Sequence, residues 1–327
     1  MATYNKNIKD KLYSYFKLRL GMRDYRRNWL KGNCPYCGKK DKFGVNISLN
    51  RCNCFYCGPK KPPFWLVMDL EKLTNKYLVF KLLEEQEKLE YKEIGLDTTL
   101  KEIKNIKLPE GFKLLNSGDN QLAISARNYI KKRGFNPKEM ALKGWGYGTT
   151  GKYRGYIIIP IFFKDKLVYF TSRRFIGNGP KFMNLEMDED VIGKNMVLYN
   201  YEALFMYDKV RLVESVMNAE TLGDNTIASN GKKLSSYQLN LIIKSPCTHV
   251  TVLLDRDAFD DSIKLALDLI QYKQIKLVQF PDDRDVNDLG KKETLKLIYK
   301  SKYLTYGKLL NLKNERSFYT YNSKPAS

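Results

Sequence analysis

From residue 209 onward, short apolar runs alternate with longer amphipathic ones. The stretches 209–213, 225–228, 249–254 and 275–280 are rich in Val, Ile and Leu and read as strands. Between them, 216–223, 235–244 and 258–272 carry apolar residues at helical spacing. That rhythm predicts a mainly parallel sheet with helices on its faces. Upstream the pattern differs. A helix is expected near 121–134, its surface bearing Arg127, Lys131, Lys132 and Arg133, and a short one after Pro137. Two strand-like runs follow, Tyr153–Phe163 and Lys166–Ser172. Nearer the start, 6–20 predicts a basic amphipathic helix ending at Gly21, and Phe64 opens a helical pattern that runs to about Glu90. Residues 93–110 have weak periodicity, end in Pro109-Glu110-Gly111, and read as a linker. The tail after 301 is basic, polar and tyrosine-rich, and is expected to be partly disordered. The fold class is α/β, with these boundaries: 1–70, an N-terminal helix and metal-binding module; 71–110, helix and linker; 111–206, a mixed α+β subdomain; 207–300, a Rossmann-like parallel sheet; 301–327, the tail. No internal repeat is visible.

Composition adds charge to this picture. Fifty-seven Lys and Arg face 36 Asp and Glu, a formal net charge of +21. Such an excess favours a polyanionic partner, because neutralising phosphates releases counterions. Interleaved aromatics fit single-stranded nucleic acid, and Arg23, Arg26 and Arg27 with Tyr25 are one such segment. The longest apolar run, Tyr156–Phe163, is broken by Pro160 and is too short to span a bilayer. The polar, charged start shows no secretory signal, so a cytoplasmic chain is expected. In that compartment six cysteines imply metal or free thiol.

Four of the cysteines form two knuckles, Cys34-Pro-Tyr-Cys37 and Cys54-Phe-Tyr-Cys57. Two tight turns that each present two thiolates suit one tetrahedral Zn2+ in a zinc ribbon. Cys52 could replace Cys54, but Cys54 has the better spacing, which leaves Cys52 a bystander. Cys247 reads as a small buried hydrophobe. Between and beside the knuckles lie Lys39, Lys40, Lys42 and Arg51 with Phe43, Phe55 and Tyr56. Phe43 and Phe55 are expected in the module's small core, and the lysines to contact nucleic acid.

The remaining chemistry is acidic. Glu214 follows Leu212-Val213, and Asp255 and Asp257 follow Val252-Leu253-Leu254. Each group thus stands at a strand end, where open α/β sheets bind ligands. Alternate residues of an extended segment share a face, so Asp255 and Asp257 are expected to face one cation. Asp285, in Asp285-Val-Asn-Asp288, follows the last strand. Hard carboxylate oxygens of this kind suit Mg2+ or Mn2+ bridging to phosphates. Glu214, Asp255 and Asp257 are therefore the candidate catalytic residues, with Asp285 as a further metal ligand. Together with the zinc module and the charge, they point to an enzyme that polymerises or cleaves nucleic acid.

The order Glu, then Asp-x-Asp, on alternating β/α elements resembles the Toprim fold. Arg154-Gly-Tyr-Ile-Ile-Ile-Pro160 resembles the arginine-then-Ile-Pro strand of DnaG-type primases. Ser172-Arg173-Arg174 and Gly179-Pro-Lys181-Phe-Met-Asn184 resemble that family's Gly-Arg and Pro-Lys-Tyr-x-Asn motifs. Leu198-Tyr199-Asn200 resembles its Leu-Tyr-Gly turn, and Cys54-Phe-Tyr-Cys57-Gly58 its second zinc knuckle. The layout, with Asp285-Val-Asn-Asp288, resembles the stand-alone primases of T-even-type bacteriophages. Two departures stand out: Ser215 replaces the glycine of Val-Glu-Gly, and Asp255-Arg-Asp257-Ala-Phe-Asp260 replaces Asp-Gly-Asp-x-Ala-Gly. Neither removes a candidate ligand.

The resemblance implies a DNA primase that makes short RNA primers by two-metal nucleotidyl transfer. Structural Zn2+ and catalytic Mg2+ or Mn2+ would be its cofactors. Arg154, Arg173, Arg174, Lys181 and Asn184 would hold template or nucleotide. Its partners would be a single-stranded DNA template, ribonucleoside triphosphates and a separate hexameric helicase, with no membrane. Gly148-Thr-Thr-Gly151-Lys152 lacks phosphate-loop spacing, so no fused helicase motor is expected. The alternatives are a zinc-ribbon/Toprim recombination or repair mediator without polymerase activity, and a Toprim nuclease.

Overall fold

The computed structural model describes residues 4–73, 76–85, 105–163, 166–185, 193–231 and 233–322. Helix α1 (Lys6–Leu18) starts under Asn5, whose side chain accepts from the Ile8 N–H at 2.9 Å and so satisfies a donor that the first turn leaves free. It leads into an antiparallel meander of five strands: β1 (Arg23–Tyr25), β2 (Trp29–Gly32), β3 (Phe43–Asn46), β4 (Arg51–Cys54) and β5 (Gly58–Lys60). Two helices follow, α2 (Pro63–Leu70) and α3 (Lys76–Glu85). Pro63 sits in the first turn of α2, where a missing N–H costs nothing.

A second antiparallel sheet is built from β6 (Phe112–Leu114), then, after helices α4 (Gln121–Lys132) and α5 (Pro137–Leu142), β7 (Gly146–Gly148), β8 (Tyr156–Phe163) and β9 (Lys166–Arg174). Strand β8 is buried at all but one position, which explains its almost unbroken apolar sequence. Arg154 and Gly155 turn the chain into it. Gly155 has φ +82°, and a Cβ there would lie 2.7 Å from the Ile176 carbonyl oxygen, so no other residue fits.

The third sheet is parallel. After α6 (Ala203–Met206) come β10 (Lys209–Val213), α7 (Val216–Leu222), β11 (Thr226–Ala228), α8 (Ser236–Lys244), β12 (His249–Leu253), α9 (Phe259–Leu269), β13 (Gln274–Leu277), α10 (Val286–Lys300) and α11 (Tyr306–Asn322). The strand order is β11-β10-β12-β13, and every pairing is parallel. The chain leaves β10 toward one edge and returns through β12 on the other side. The order therefore reverses between β10 and β12. The expected fold class is thus what the structure shows: a ribbon-like meander carrying four clustered cysteines, an antiparallel subdomain, and a four-stranded parallel sheet with helices.

One core joins the ends of this arrangement. Buried side chains run without a break from Leu12, Phe16, Phe43 and Phe64 to Leu204, Tyr207, Leu212 and Val250. Tyr4 forms a β-bridge with Tyr207 and stacks on it, ring centroids 5.4 Å apart. The Phe64 N–H donates to the Tyr4 hydroxyl at 3.3 Å, and Trp65 Nε1 donates to Asp224 at 2.9 Å. Lys76 of α3 donates to Asn200. Asn200 itself adopts φ +58°, a left-handed conformation that asparagine tolerates better than most residues. Its amide pins the turn by donating to the carbonyls of Asp224 and Thr226 at 2.8 and 2.7 Å.

Several expectations need correction. The helical pattern from Phe64 is two helices, interrupted after Leu70 where Lys72 has φ +54°; residues 86–90 lie outside the described residues. Of the linker, 93–104 also lie outside them, but 105–108 are strapped to β9, with the Ile106 N–H donating to Leu167 at 2.8 Å and the Leu167 N–H to Asn105 at 3.0 Å. The tail is helical over Tyr306–Asn322 and packs on α9, because Leu309 is fully buried and Leu304 is half-covered. A single anchoring leucine in a polar stretch left little periodicity to read.

Candidate metal centre and acidic site

The meander brings Cys34, Cys37, Cys54 and Cys57 together, with all four sulfurs within 4.8 Å of one another. Sγ of Cys34 and Cys57 are 3.7 Å apart, as are those of Cys37 and Cys54. Zinc–sulfur bonds of about 2.3 Å in a tetrahedron place sulfurs about 3.8 Å apart, so the residues fit the ion. Burial works against ionisation of Cys54, but the N–H groups of Cys57 and Tyr56 point at its sulfur and bring the thiol down to about 6. Cys52 lies outside the cluster, buried in β4, and burial pushes its thiol up. Elemental analysis is accordingly expected to give one zinc per chain for the wild type and for Cys52→Ser, and none for Cys54→Ser.

The module's surface differs from expectation at one position. Phe43 is fully buried, as expected, but Phe55 is 78% exposed, because it turns outward at the knuckle tip. On the same module lysines lie over exposed rings: Lys39 over Tyr56 at 4.8 Å, Lys60 over Tyr36 at 5.1 Å and Lys31 over Tyr25 at 4.9 Å.

Glu214 and Asp255 stand where the strand order reverses. Val213 and Leu253 are register partners at the C-terminal ends of β10 and β12. Glu214 and Asp255 follow them, half-buried, each with one oxygen fully enclosed, Oε2 and Oδ1 respectively. Ser215 caps α7 by accepting from the Asn218 N–H at 3.2 Å. Asp255 and Asp257 are not alternate residues of one strand: the chain enters a 3-10 turn at Arg256–Ala258, and Asp257 is exposed within it. Arg256 turns away from them to Asp283, at 3.3 Å. Among the described residues, only the four cysteines bring three or more ligand atoms within 4.8 Å, so the carboxylates share an edge without forming a closed cage.

Asp285 is the N-cap of α10, accepting from the Asp288 N–H at 2.8 Å. Its neighbours tie the modules together. The Asn287 N–H donates to Asn218 at 3.1 Å, and its amide donates to Thr221 at 2.8 Å and to the Arg133 carbonyl at 3.1 Å. Arg133 of the α4 C-cap donates back to Asn287 at 2.9 Å and pairs with Asp288 at 3.4 Å. The sequence shows Asn287 only as a letter of the Asp285–Asp288 motif and gives no sign of its bond to Asn218.

The candidate phosphate-binding residues lie on the neighbouring antiparallel sheet. Arg173 and Arg174 end β9, and Arg174 donates its N–H to the Lys181 carbonyl at 3.1 Å. That bond lays 180–184 beside β9, helped by Tyr156, whose hydroxyl donates to the Pro180 carbonyl at 2.9 Å. Arg154, Lys181 and Asn184 are exposed. Among the described residues, Arg154, Arg173, Arg174 and Lys181 make no ion pair.

No protein-family model and no curated protein sequence matches this chain. Solved structures do. A DnaG catalytic core is 18% identical over 58% of this chain and 76% of its own, with a TM-score of 0.51. A DnaG primase catalytic domain bound to single-stranded DNA is 20% identical over 59% of this chain and 75% of its own, TM-score 0.51. The zinc-binding and RNA polymerase domains of Aquifex aeolicus primase are 20% identical over 93% of this chain and 87% of theirs, TM-score 0.49. The first two show that this chain has the fold of a DnaG catalytic core. Among the described residues no helix is long and apolar enough to cross a membrane.

Proposed function

We propose that this chain is a DNA-dependent RNA polymerase of the primase type, making short RNA primers on single-stranded DNA. The observation that carries the proposal is the placement of Glu214 and Asp255 at the ends of β10 and β12. They flank the one point where the parallel sheet reverses its order, the crevice where such sheets bind ligands. The fold shared with DnaG catalytic cores, one of them bound to single-stranded DNA, supports the same reading. Phosphoryl transfer depends on positioning and charge neutralisation more than on covalent help from the protein. Mg2+ or Mn2+, when bound, neutralises triphosphate charge and lowers the pKa of the attacking hydroxyl. Asp255 and Asp257 would hold the cation, and Asp285 would contribute from the α10 N-terminus. Glu214 shares that role or accepts the proton of the attacking hydroxyl. Arg154, Arg173, Arg174 and Lys181 grip phosphates of template or nucleotide, and Asn184 offers an amide beside them. The four-cysteine module, zinc-loaded, presents Phe55 and the lysine-covered tyrosines for stacking on unpaired bases. Duplex unwinding comes from a separate hexameric helicase.

The test gives the zinc-loaded chain end-labelled single-stranded DNA, four ribonucleoside triphosphates and magnesium. New RNA with the DNA left intact supports a primase. Shortened DNA would make the chain a nuclease, and DNA binding with neither product would make it a mediator.

A further inference from the structure

Of the candidate phosphate-binding cations, Arg173 is held by a side chain from another element. Arg173 Nε donates to the hydroxyl of Tyr129 at 2.6 Å, and its guanidinium lies over the Phe182 ring, 5.1 Å from the centroid. Phe182 is held there by a β-bridge to Arg173 itself. Tyr129 reaches the site from α4, and its own ring faces Arg133, whose guanidinium carbon is 6.0 Å from the centroid. Arg133 in turn grips Asn287 at 2.9 Å, beside the cap residue of α10. A continuous line of contacts thus runs from Phe182 through Arg173, Tyr129 and Arg133 to the N-terminus of α10, and through Asn287 to Asn218, whose N–H donates to Ser215, the residue after Glu214.

We propose that Tyr129 is a positioning residue that presents Arg173, with its charge intact, to a phosphate group at a fixed distance from the acidic strand ends. The chemistry of the contact favours this. A guanidinium carries five N–H donors in a planar fork. Tyr129 engages only Nε, and Phe182 covers one face, so both terminal nitrogens keep their donors for a bidentate anion. An acidic residue in place of Tyr129 would hold the arginine equally well but would neutralise it. A phenol oxygen holds it and leaves the full positive charge. Fixing the side chain beforehand also removes part of the ordering cost that binding otherwise carries. The proposal rests on reading this surface as one that binds nucleic acid or nucleotide. Either a template phosphodiester or a nucleoside triphosphate supplies the phosphate, and the experiment separates them.

The experiment measures binding of a labelled oligothymidylate, across a salt series, to the full zinc-loaded chain and to Tyr129→Phe, Arg173→Ala and the double variant. Binding of ATP with magnesium forms a second arm. Arg173→Ala removes a charge, so affinity falls and the salt slope shrinks by about one phosphate contact. Tyr129→Phe leaves the charge present but unplaced, so affinity falls about threefold to tenfold with the salt slope unchanged. In the Arg173→Ala background, Tyr129→Phe has no further effect. In an Arg173→Lys chain, which has no Nε fork, it again has none. Thermal midpoints of the tyrosine variants check that the fold is intact. A loss seen with the oligonucleotide assigns the phosphate to the template strand, and a loss confined to ATP assigns it to the nucleotide; either supports the proposal. If the wild type binds and Tyr129→Phe matches it in both arms, or if the two substitutions add, the proposal is overturned alone. A wild type that binds neither probe overturns the functional reading with it.

Discussion

Asp257→Asn is expected to reduce primer synthesis at least about a hundredfold, the scale on which losing one electrostatic contact to a transition state acts. The same change is expected to leave the fold intact, because Asp257 is exposed on a short turn outside the buried core. Zinc content and DNA binding therefore stay near wild type. Glu214→Gln is expected to act in the same direction but less completely if Glu214 moves a proton and Asp255 and Asp257 carry the cation. Asp285 separates two roles at one residue. Asparagine caps helices about as well as aspartate, so Asp285→Asn keeps α10 intact while removing the charge. Asp285→Ala removes the cap as well, at a cost of about 1 kcal/mol. If both lower activity equally at saturating magnesium, the charge matters; if only the alanine variant does, Asp285 is a cap and nothing more. Magnesium titrations of primer yield for these variants, beside circular dichroism, distinguish the cases.

Removing zinc is expected to unsettle the whole molecule and not only the ribbon. The buried core runs without interruption from Phe43 and Phe64 to Leu204, Leu212 and Val250. The N-terminal segment is further sewn to the α6 region by the Tyr4–Tyr207 stack and by the Asn5 N–H, which donates to Met206 at 2.9 Å. Structural zinc contributes its binding free energy to folding. Calorimetry should show one transition whose midpoint drops on the order of 10 °C with a chelator. Two separate transitions, with only the smaller one sensitive to chelation, would show that the ribbon folds independently and that this continuity carries no energy.

What the sequence revealed, and what it withheld, follows from the range of the contacts. The parallel sheet was legible because strands buried on both faces must be apolar, and the helices between them must be amphipathic. The ends of β10 and β12 could then be read from where Val and Leu give way to Glu214 and Asp255. The cysteine quartet was legible because two tight turns fix ligand spacing locally. The geometry of Asp255 and Asp257 was not, since a 3-10 turn and an extended strand end look alike over three residues. Phe55 was assigned inward because aromatics in small modules usually are, and only the direction of the knuckle tip decides otherwise. Tyr129 and Arg173, like Arg133 and Asn287, lie on elements far apart in the chain, and nothing in the local pattern of either announces the other. Asn200 could not be read either: its positive φ and the two hydrogen bonds of its amide follow from contacts with residues 224 and 226, which the local sequence does not announce.

The most direct test of the account sets wild type and Asp257→Asn side by side, zinc-loaded, with magnesium, a labelled ribonucleotide among the four, and single-stranded DNA of mixed sequence. The account predicts short, alkali-labile products from the wild type only, and only when the DNA is present. No product from the wild type at any magnesium concentration, or equal product from both chains, would contradict it.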